Sequence, residues 1–183
     1  MLNVANTITL LRFALVPALA LQLIRAEYGT AFALFVVSAV SDLADGIVAR
    51  HWNQITRFGA VADPLADKLT MLTVTGLLTF QHTLPWWFAL AVVLRDGLIV
   101  GGAVVYHFWV EPVEMAPSRI SKLNTAMEFL LLLAALAIQA GFVPGGLWRQ
   151  LLLFATLATI LWSGGHYGLV WGQKAAQERR RVT

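Results

Sequence analysis

Four of the chain's ten acidic residues lie in one short stretch and form two pairs. Asp42 and Asp45 are three positions apart, and Asp63 and Asp67 are four apart, so on helices each pair shares one face. Oxygen donors of this kind suit a hard cation such as Mg²⁺, Mn²⁺ or Ca²⁺ better than zinc. Up to four negative charges match two divalent ions about 4 Å apart, the arrangement that clamps a phosphoryl or pyrophosphoryl group. The sequence therefore predicts a metal site that acts on phosphate.

The residues that follow Asp45 support a phosphate ligand. Gly46 and Ala49 are small and leave room for a bulky molecule against the backbone, while Arg50 offers a fork-shaped donor to phosphate. A single pair of aspartates three residues apart is common and carries little information. Two such pairs with small residues and an arginine between them, in a hydrophobic chain with only 13% charged residues, favour a functional site over a structural one.

The composition predicts the environment of this site. The 183 residues are 58% hydrophobic and 13% charged, with a mean hydropathy of +0.71, which indicates an all-α membrane protein with several spans. The absence of cysteine excludes disulfides and thiolate metal sites. The isoelectric point of 9.7 reflects loop and tail arginines, so we expect attraction to anionic lipid and no nucleic-acid partner.

Six apolar spans can be drawn between breaks rich in Gly, Pro and charged residues. They cover residues 7–24, 31–50, 59–80, 86–108, 118–140 and 147–171. No repeat or long linker divides the chain, so residues 1–183 are expected to form one membrane domain of six transmembrane helices.

The basic residues of the loops predict the orientation. If both termini are cytoplasmic, nine loop and tail cations lie inside and two lie outside, which satisfies the positive-inside rule. This places the aspartate stretch at the cytoplasmic face. The inner set is Arg50, Arg57, Lys68, Arg119, Lys122, Lys174, Arg179, Arg180 and Arg181, and the outer set is Arg25 and Arg149.

Four further cationic positions could bind an anion. Arg12 lies inside the first apolar run, where it either extends to the interface or faces the interior and approaches an anionic group. Arg95 is followed by Asp96 in the middle of the fourth span; the two could pair, although adjacent helical residues point about 100° apart and each is expected to have another partner. Arg119 and Lys122 open the fifth span, where cations oppose the helix dipole and favour a bound anion.

The central stretch resembles a known family signature. DLADGIVAR, eight further residues and GAVADPLAD look like the complete motif of the CDP-alcohol phosphatidyltransferases. The opening Asn6, Thr9 and Arg12, with Pro17, is similar to that of the bacterial phospholipid synthases in this family, so the likeness covers about residues 6–128.

The resemblance implies an integral enzyme of the inner (plasma) membrane, typically a homodimer, with its active site facing the cytoplasm. It would transfer a phosphatidyl group from CDP-diacylglycerol to an alcohol and release CMP, using Mg²⁺ or Mn²⁺, with two ions expected. Asp42, Asp45 and Asp63 would bind the ions, and Asp67 would complete the metal site or act as general base. The CDP-diacylglycerol site would comprise Asn6, Thr9, Gly46, Ala49, Arg50 and Gly59.

The acceptor alcohol is predicted from residues 95–128. Members that use glycerol 3-phosphate, the phosphatidylglycerophosphate synthases, usually carry a second arginine where this chain has Ala103, although the N-terminal half looks like theirs. The stretch with Pro117, Ser118, Ser121 and Asn124 instead resembles the CMP-forming cardiolipin synthases. We therefore expect phosphatidylglycerol as acceptor, with glycerol 3-phosphate as the alternative. The residues expected near the acceptor phosphate are Arg95, Arg119 and Lys122.

Two other classes remain open at this point. A prenyl-transferring membrane enzyme also uses aspartate-rich metal motifs, but it would not require the Gly and Ala spacing. A transporter could place ionisable groups such as Arg95 and Asp96 at mid-bilayer.

Overall fold

Every segment of regular structure described in this chain is helical. A computed structural model describes the backbone of residues 4–51, 57–109 and 119–182 and the side chains of residues 11–42, 62–102 and 120–168. Within these ranges there are six α-helices and no strand. They are α1 (Val4–Ile24), α2 (Tyr28–His51), α3 (Arg57–Phe80), α4 (Trp86–Trp109), α5 (Arg119–Gln139) and α6 (Leu147–Val182).

The predicted spans and the helices agree to within a few residues, except at the end of α6. The apolar run was expected to end at residue 171, but the helix continues to Val182. The residues beyond it are mostly Gln, Lys, Ala, Glu and Arg, which are among the best helix formers. The end of the hydrophobic run therefore marks the end of the apolar span and not the end of the helix.

The helices differ in how well they meet the criteria for a membrane span. Among the described residues, one segment, Ile120–Gln139, is long and apolar enough to cross a bilayer, and Leu11–Ile24 and Tyr28–Asp42 are shorter apolar helices. All six helices nevertheless expose large apolar side chains; Ile24, Phe80 and Trp162 are 66%, 83% and 68% exposed. Exposed apolar faces of this kind suit contact with lipid better than contact with water.

The described chain divides into two compact units. The first comprises Met1–Leu84 with Leu132–Gly146, and the second comprises Pro85–Leu131 with Leu147–Thr183. In the first unit, α1 packs against both α2 and α3, and the fully buried side chains include Leu23, Phe35 and Leu78. In the second unit α4 packs against α6, where Trp87 stacks on Phe154 with ring centroids 6.4 Å apart.

Helices α1, α3 and α5 end in the same type of cap. Ala26, His82 and Gly141 follow α1, α3 and α5 and have φ angles of 58°, 59° and 76°. In the first cap the Glu27 amide donates to the Gln22 carbonyl at 2.9 Å, five residues back, which is the Schellman arrangement. The other two caps have the same bond. Glycine adopts a left-handed conformation at little cost, whereas Ala26 and His82 adopt it against their preference.

Side-chain hydrogen bonds fix α1 and α3 in register beside these caps. Gln81, just after α3, donates from Nε2 to the carbonyl of Leu23 near the end of α1 at 2.5 Å. The Tyr28 hydroxyl lies 3.3 Å from Gln81 Oε1. The C-terminal ends of α1 and α3 therefore meet, and the two helices run parallel. This register determines which residues of α1 face the N-terminal half of α3.

Candidate functional site

The described aspartates of the motif converge on one arginine. Arg12 on α1 places Nη1 2.7 Å from Oδ1 of Asp42 and 2.8 Å from Oδ1 of Asp67. Its Nη2 lies 3.4 Å from Oδ1 of Asp63. Because the Arg12 side chain is 0% exposed, it faces the interior and contacts anionic groups there, which is the second of the two alternatives for this residue.

The packing of three helices produces this convergence. Asp42 lies in the C-terminal half of α2, and Asp63 and Asp67 lie in the N-terminal half of α3. Because α2 and α3 both pack against α1, the segments that carry these aspartates meet at the level of Arg12. The expected meeting of carboxylates from two consecutive helices is thus confirmed for Asp42, Asp63 and Asp67.

Prolines interrupt the hydrogen bonding of both helices beside the cluster. Pro17 lies inside α1 and Pro64 lies inside α3, directly after Asp63. A proline has no N–H to donate to the carbonyl four residues earlier, and its ring crowds that carbonyl. The bonds removed are those to the carbonyls of Phe13 and Ala60, each close in sequence to a residue of the cluster. Both helices are therefore locally weakened where they carry the charged groups.

Charge and exposure in the cluster are unevenly distributed. The side chains of Asp42, Asp63 and Asp67 are 41%, 36% and 43% exposed, whereas the guanidinium that they share is buried. Three carboxylates and one guanidinium sum to a net charge of −2 (−3 + 1), which one divalent cation would balance. The exposed side of the cluster is anionic and built from oxygen donors, so its chemistry fits Mg²⁺ or Mn²⁺.

The described carboxylates are grouped around the guanidinium of Arg12. Among the side chains that the structure describes, no three acidic or histidine residues form a group that could hold a metal. The side chains of several predicted site residues lie outside the described ranges. These are Asn6, Thr9, Asp45, Gly46, Ala49, Arg50, Gly59 and Arg119.

Arg95 forms a second buried polar cluster, in the second unit. Its Nη1 donates to Asp96 Oδ1 at 2.7 Å, its Nη2 donates to the Ser121 hydroxyl at 2.7 Å, and its Nε and Nη2 lie 3.3 and 3.1 Å from Ser163 Oγ. The pairing with Asp96 and the additional partners expected for Arg95 are both present. Arg95 therefore connects α4 with α5 and α6, while Lys122 on α5 is exposed.

Sequence reasoning missed the polar residues of α6 in this unit. Ser163 and Thr156 are 0% exposed, and Thr159 donates from its hydroxyl towards Oδ1 of the fully buried Asn124 at 2.9 Å. Small hydroxyl residues are common between packed membrane helices, so their presence in an apolar span does not by itself indicate a site. Their regular spacing on one helix, at positions 156, 159 and 163, was the signal that could have identified them.

Comparison with known proteins decides the class. The model of the CDP-alcohol phosphatidyltransferase family matches residues 2–162, which include both helices of the aspartate motif. This chain belongs to the CDP-alcohol phosphatidyltransferase family. It is therefore a phosphatidyltransferase of phospholipid biosynthesis, and the prenyl-transferase and transporter alternatives are wrong.

Relatives of this phosphatidyltransferase carry two kinds of name. A Mycobacterium bovis protein provisionally named cardiolipin synthase is 33% identical over 93% of this chain and 78% of its own length. The human cardiolipin synthase (CMP-forming) is 27% identical over 91% of this chain and 62% of its own length. A Mycobacterium tuberculosis protein provisionally named phosphatidylglycerophosphate synthase is 35% identical over 51% of this chain and 48% of its own length.

Membership also bears on cofactor and substrates. The family implies CDP-diacylglycerol and an alcohol acceptor as substrates, and its members are membrane proteins that generally depend on divalent metal ions. The oxygen donors and net negative charge of Asp42, Asp63 and Asp67 fit such an ion.

Proposed function

We propose that this phosphatidyltransferase uses phosphatidylglycerol as acceptor and forms cardiolipin and CMP. The observation that carries the chemistry is the convergence of Asp42, Asp63 and Asp67 at one partly exposed site. The choice of acceptor is supported by relatives named cardiolipin synthase that match more than nine-tenths of the chain.

Asp42, Asp45, Asp63 and Asp67 are proposed to hold two Mg²⁺ or Mn²⁺ ions. Bound there, the ions would supply charge neutralisation for the pyrophosphate of CDP-diacylglycerol and for the departing CMP. Gly46, Ala49 and Gly59 would leave space for the nucleotide. Arg50 would lie near its phosphates, and Asn6 and Thr9 would complete the set of residues that bind CDP-diacylglycerol.

Asp67 is proposed to accept the proton of the acceptor hydroxyl. As that proton leaves, the hydroxyl oxygen forms a bond to the β-phosphorus, and the bond from this phosphorus to the bridging oxygen breaks with its electron pair going to CMP. Arg12, 2.8 Å from Asp67 Oδ1, favours the ionised carboxylate that this step requires. The contribution of Asp67 depends on its proximity to the hydroxyl.

The acceptor is proposed to approach cations carried by α4 and α5. Lys122 is exposed and free to turn towards a phosphodiester, and Arg119 precedes it by one turn. Arg95 is buried and already donates to Asp96, Ser121 and Ser163. It would act by charge and by holding α5 in place, and an acceptor phosphate would have to exchange one of these bonds.

The domain organisation, membrane orientation and oligomeric state of the enzyme are also proposed. Residues 1–183 would form one functional domain, because the family match extends through parts of both compact units. The excess of basic residues in the loops predicted to be internal supports cytoplasmic termini and a cytoplasmic active site in the inner (plasma) membrane. A homodimer is proposed from family resemblance.

The acceptor is tested with purified enzyme, CDP-diacylglycerol and Mg²⁺ or Mn²⁺, giving each acceptor separately and measuring CMP and lipid products. We expect cardiolipin with phosphatidylglycerol and little product with glycerol 3-phosphate. The reverse result would replace the proposal with the second candidate, phosphatidylglycerophosphate synthesis, which the relative that is 35% identical over half of this chain favours.

A further inference from the structure

We propose that Arg12 is a positioning residue of the metal site, holding the carboxylates of Asp42, Asp63 and Asp67 from the buried side and remaining in place when a cation binds. The inference rests on the proposed metal-dependent function and assigns a role to a residue outside the aspartate motif. Arg12 on α1 forms ion pairs with the aspartates of the two helices that carry the motif.

The difference in exposure sets the direction from which a cation can approach. The guanidinium is 0% exposed, whereas the three carboxylates that it contacts are between 36% and 43% exposed. A cation arriving at the exposed side therefore reaches carboxylate oxygens without first passing Arg12. The guanidinium lies behind its partners and does not block the entrance.

The atoms that form the contacts leave oxygens for the cation. Arg12 uses Oδ1 of each carboxylate, and Nη1 serves Asp42 and Asp67 together at 2.7 and 2.8 Å. An ionised carboxylate can accept several bonds on its two oxygens, so Oδ2 of Asp42 and of Asp67 remains a suitable cation ligand. A ligand held on one oxygen and bound to the ion through the other is the usual outer-shell arrangement of metal sites.

The rigidity of the guanidinium explains why an arginine suits this place. Its nitrogen donors lie in one plane at fixed distances, so carboxylates from α2 and α3 are held at a fixed separation. Without a cation between them, three carboxylates would repel and move apart. Because a buried guanidinium stripped of its partners would be strongly disfavoured, Arg12 is expected to stay with the carboxylates when the ion arrives.

Two opposite effects of Arg12 on metal affinity can be separated by experiment. As a like charge, the guanidinium repels the cation, so its removal would tighten binding. As an organiser, it holds the ligands in place, so its removal would weaken binding. We expect organisation to be the larger effect, so that removal of Arg12 weakens metal binding.

The test measures Mn²⁺ binding to purified, metal-free full-length protein in lipid nanodiscs without nucleotide. Binding is detected as the loss of the electron paramagnetic resonance signal of free Mn²⁺. We expect Arg12→Gln to raise the Mn²⁺ Kd about 10- to 100-fold, the range found for lost outer-shell partners. Arg12→Lys, which keeps the positive charge but lacks the planar guanidinium with its several donors, should show an intermediate increase in Kd. Arg25→Gln removes an exposed arginine after α1 and should bind Mn²⁺ like the wild type.

Each other outcome contradicts the inference. Tighter binding by Arg12→Gln would show that Arg12 competes with the cation, and unchanged binding with a lower metal-free thermal midpoint would show a role in folding alone. If Arg12→Gln does not fold, Arg12→Lys decides, and an unchanged Kd in it overturns the inference. A wild type that binds no Mn²⁺, or Asp42→Asn and Asp67→Asn variants that bind it normally, would instead defeat the proposed metal site.

Discussion

Nη1 of Arg12 lies 2.8 Å from Oδ1 of Asp67, and this contact joins α1 to α3 across 55 positions of sequence. The same nitrogen lies 2.7 Å from Oδ1 of Asp42 on α2. One buried group thus links all three helices of the first unit that carry the predicted site. The proposed catalytic and metal-binding roles of these aspartates lead to direct predictions.

Asp67→Asn should lower kcat about 10²- to 10⁴-fold, the range typical for loss of a general base. The amide keeps the shape of the side chain but cannot accept the hydroxyl proton. Steady-state CMP release with saturating CDP-diacylglycerol and phosphatidylglycerol measures the change. Glu27→Gln, the same chemical change at an exposed residue before α2, is the matched control and should keep wild-type kcat. Retention of activity by Asp67→Asn would contradict its role as base.

Removal of divalent ions should abolish CMP release, and added Mg²⁺ or Mn²⁺ should restore it. The physical reason is the net charge of −2 on the three described carboxylates and Arg12, which repels an anionic nucleotide unless a cation balances it. The measurement is activity after chelation and dialysis, followed by titration with each ion. Full activity after exhaustive chelation would rule out the metal-dependent mechanism.

Arg95→Lys should raise the KM for phosphatidylglycerol several-fold and lower thermal stability. A single ammonium cannot replace a guanidinium that donates to Asp96, Ser121 and Ser163 together. Loss of one charge-assisted hydrogen bond in such a cluster costs about 1.5–3 kcal/mol. Acceptor titrations and thermal unfolding in detergent provide the two readouts. Arg25→Lys, on an exposed arginine after α1, should change neither.

His82→Gly should stabilise the protein by about 1 kcal/mol, since a left-handed conformation costs a non-glycine residue about 1–2 kcal/mol. Gly141→Ala, in the equivalent cap of α5, should destabilise it by a similar amount because its φ is 76°. Thermal unfolding measures both changes. Neither cap lies near the aspartates, so CMP release should remain at the wild-type rate. Changes of the same sign in the two variants would contradict the assignment of these caps.

Much of this structure could be predicted from the sequence because its signals are local. Apolar runs and their breaks predicted six helices, and the spacing of Asp42, Asp63 and Asp67 predicted that they would share one site. The apolar run that ends at residue 171 did not predict the continuation of α6 to Val182, since hydropathy reports contact with lipid and not helical hydrogen bonding. The alternative positions of Arg12 could not be separated from sequence, because both satisfy its charge. The Arg95–Ser163 contact depends on how α4 and α6 pack, which spacing within one helix does not reveal.

The burial of a positive group beneath three outward-facing negative ones has a consequence for the order of events in a reaction cycle. The diphosphate of the CDP-linked lipid, approaching from the exposed side, meets the carboxylates first. The guanidinium behind them is already paired with these carboxylates and attracts the diphosphate little. We therefore expect ordered kinetics, in which the divalent cation arrives before the CDP-linked lipid or together with it, and CMP departs before the ion is released.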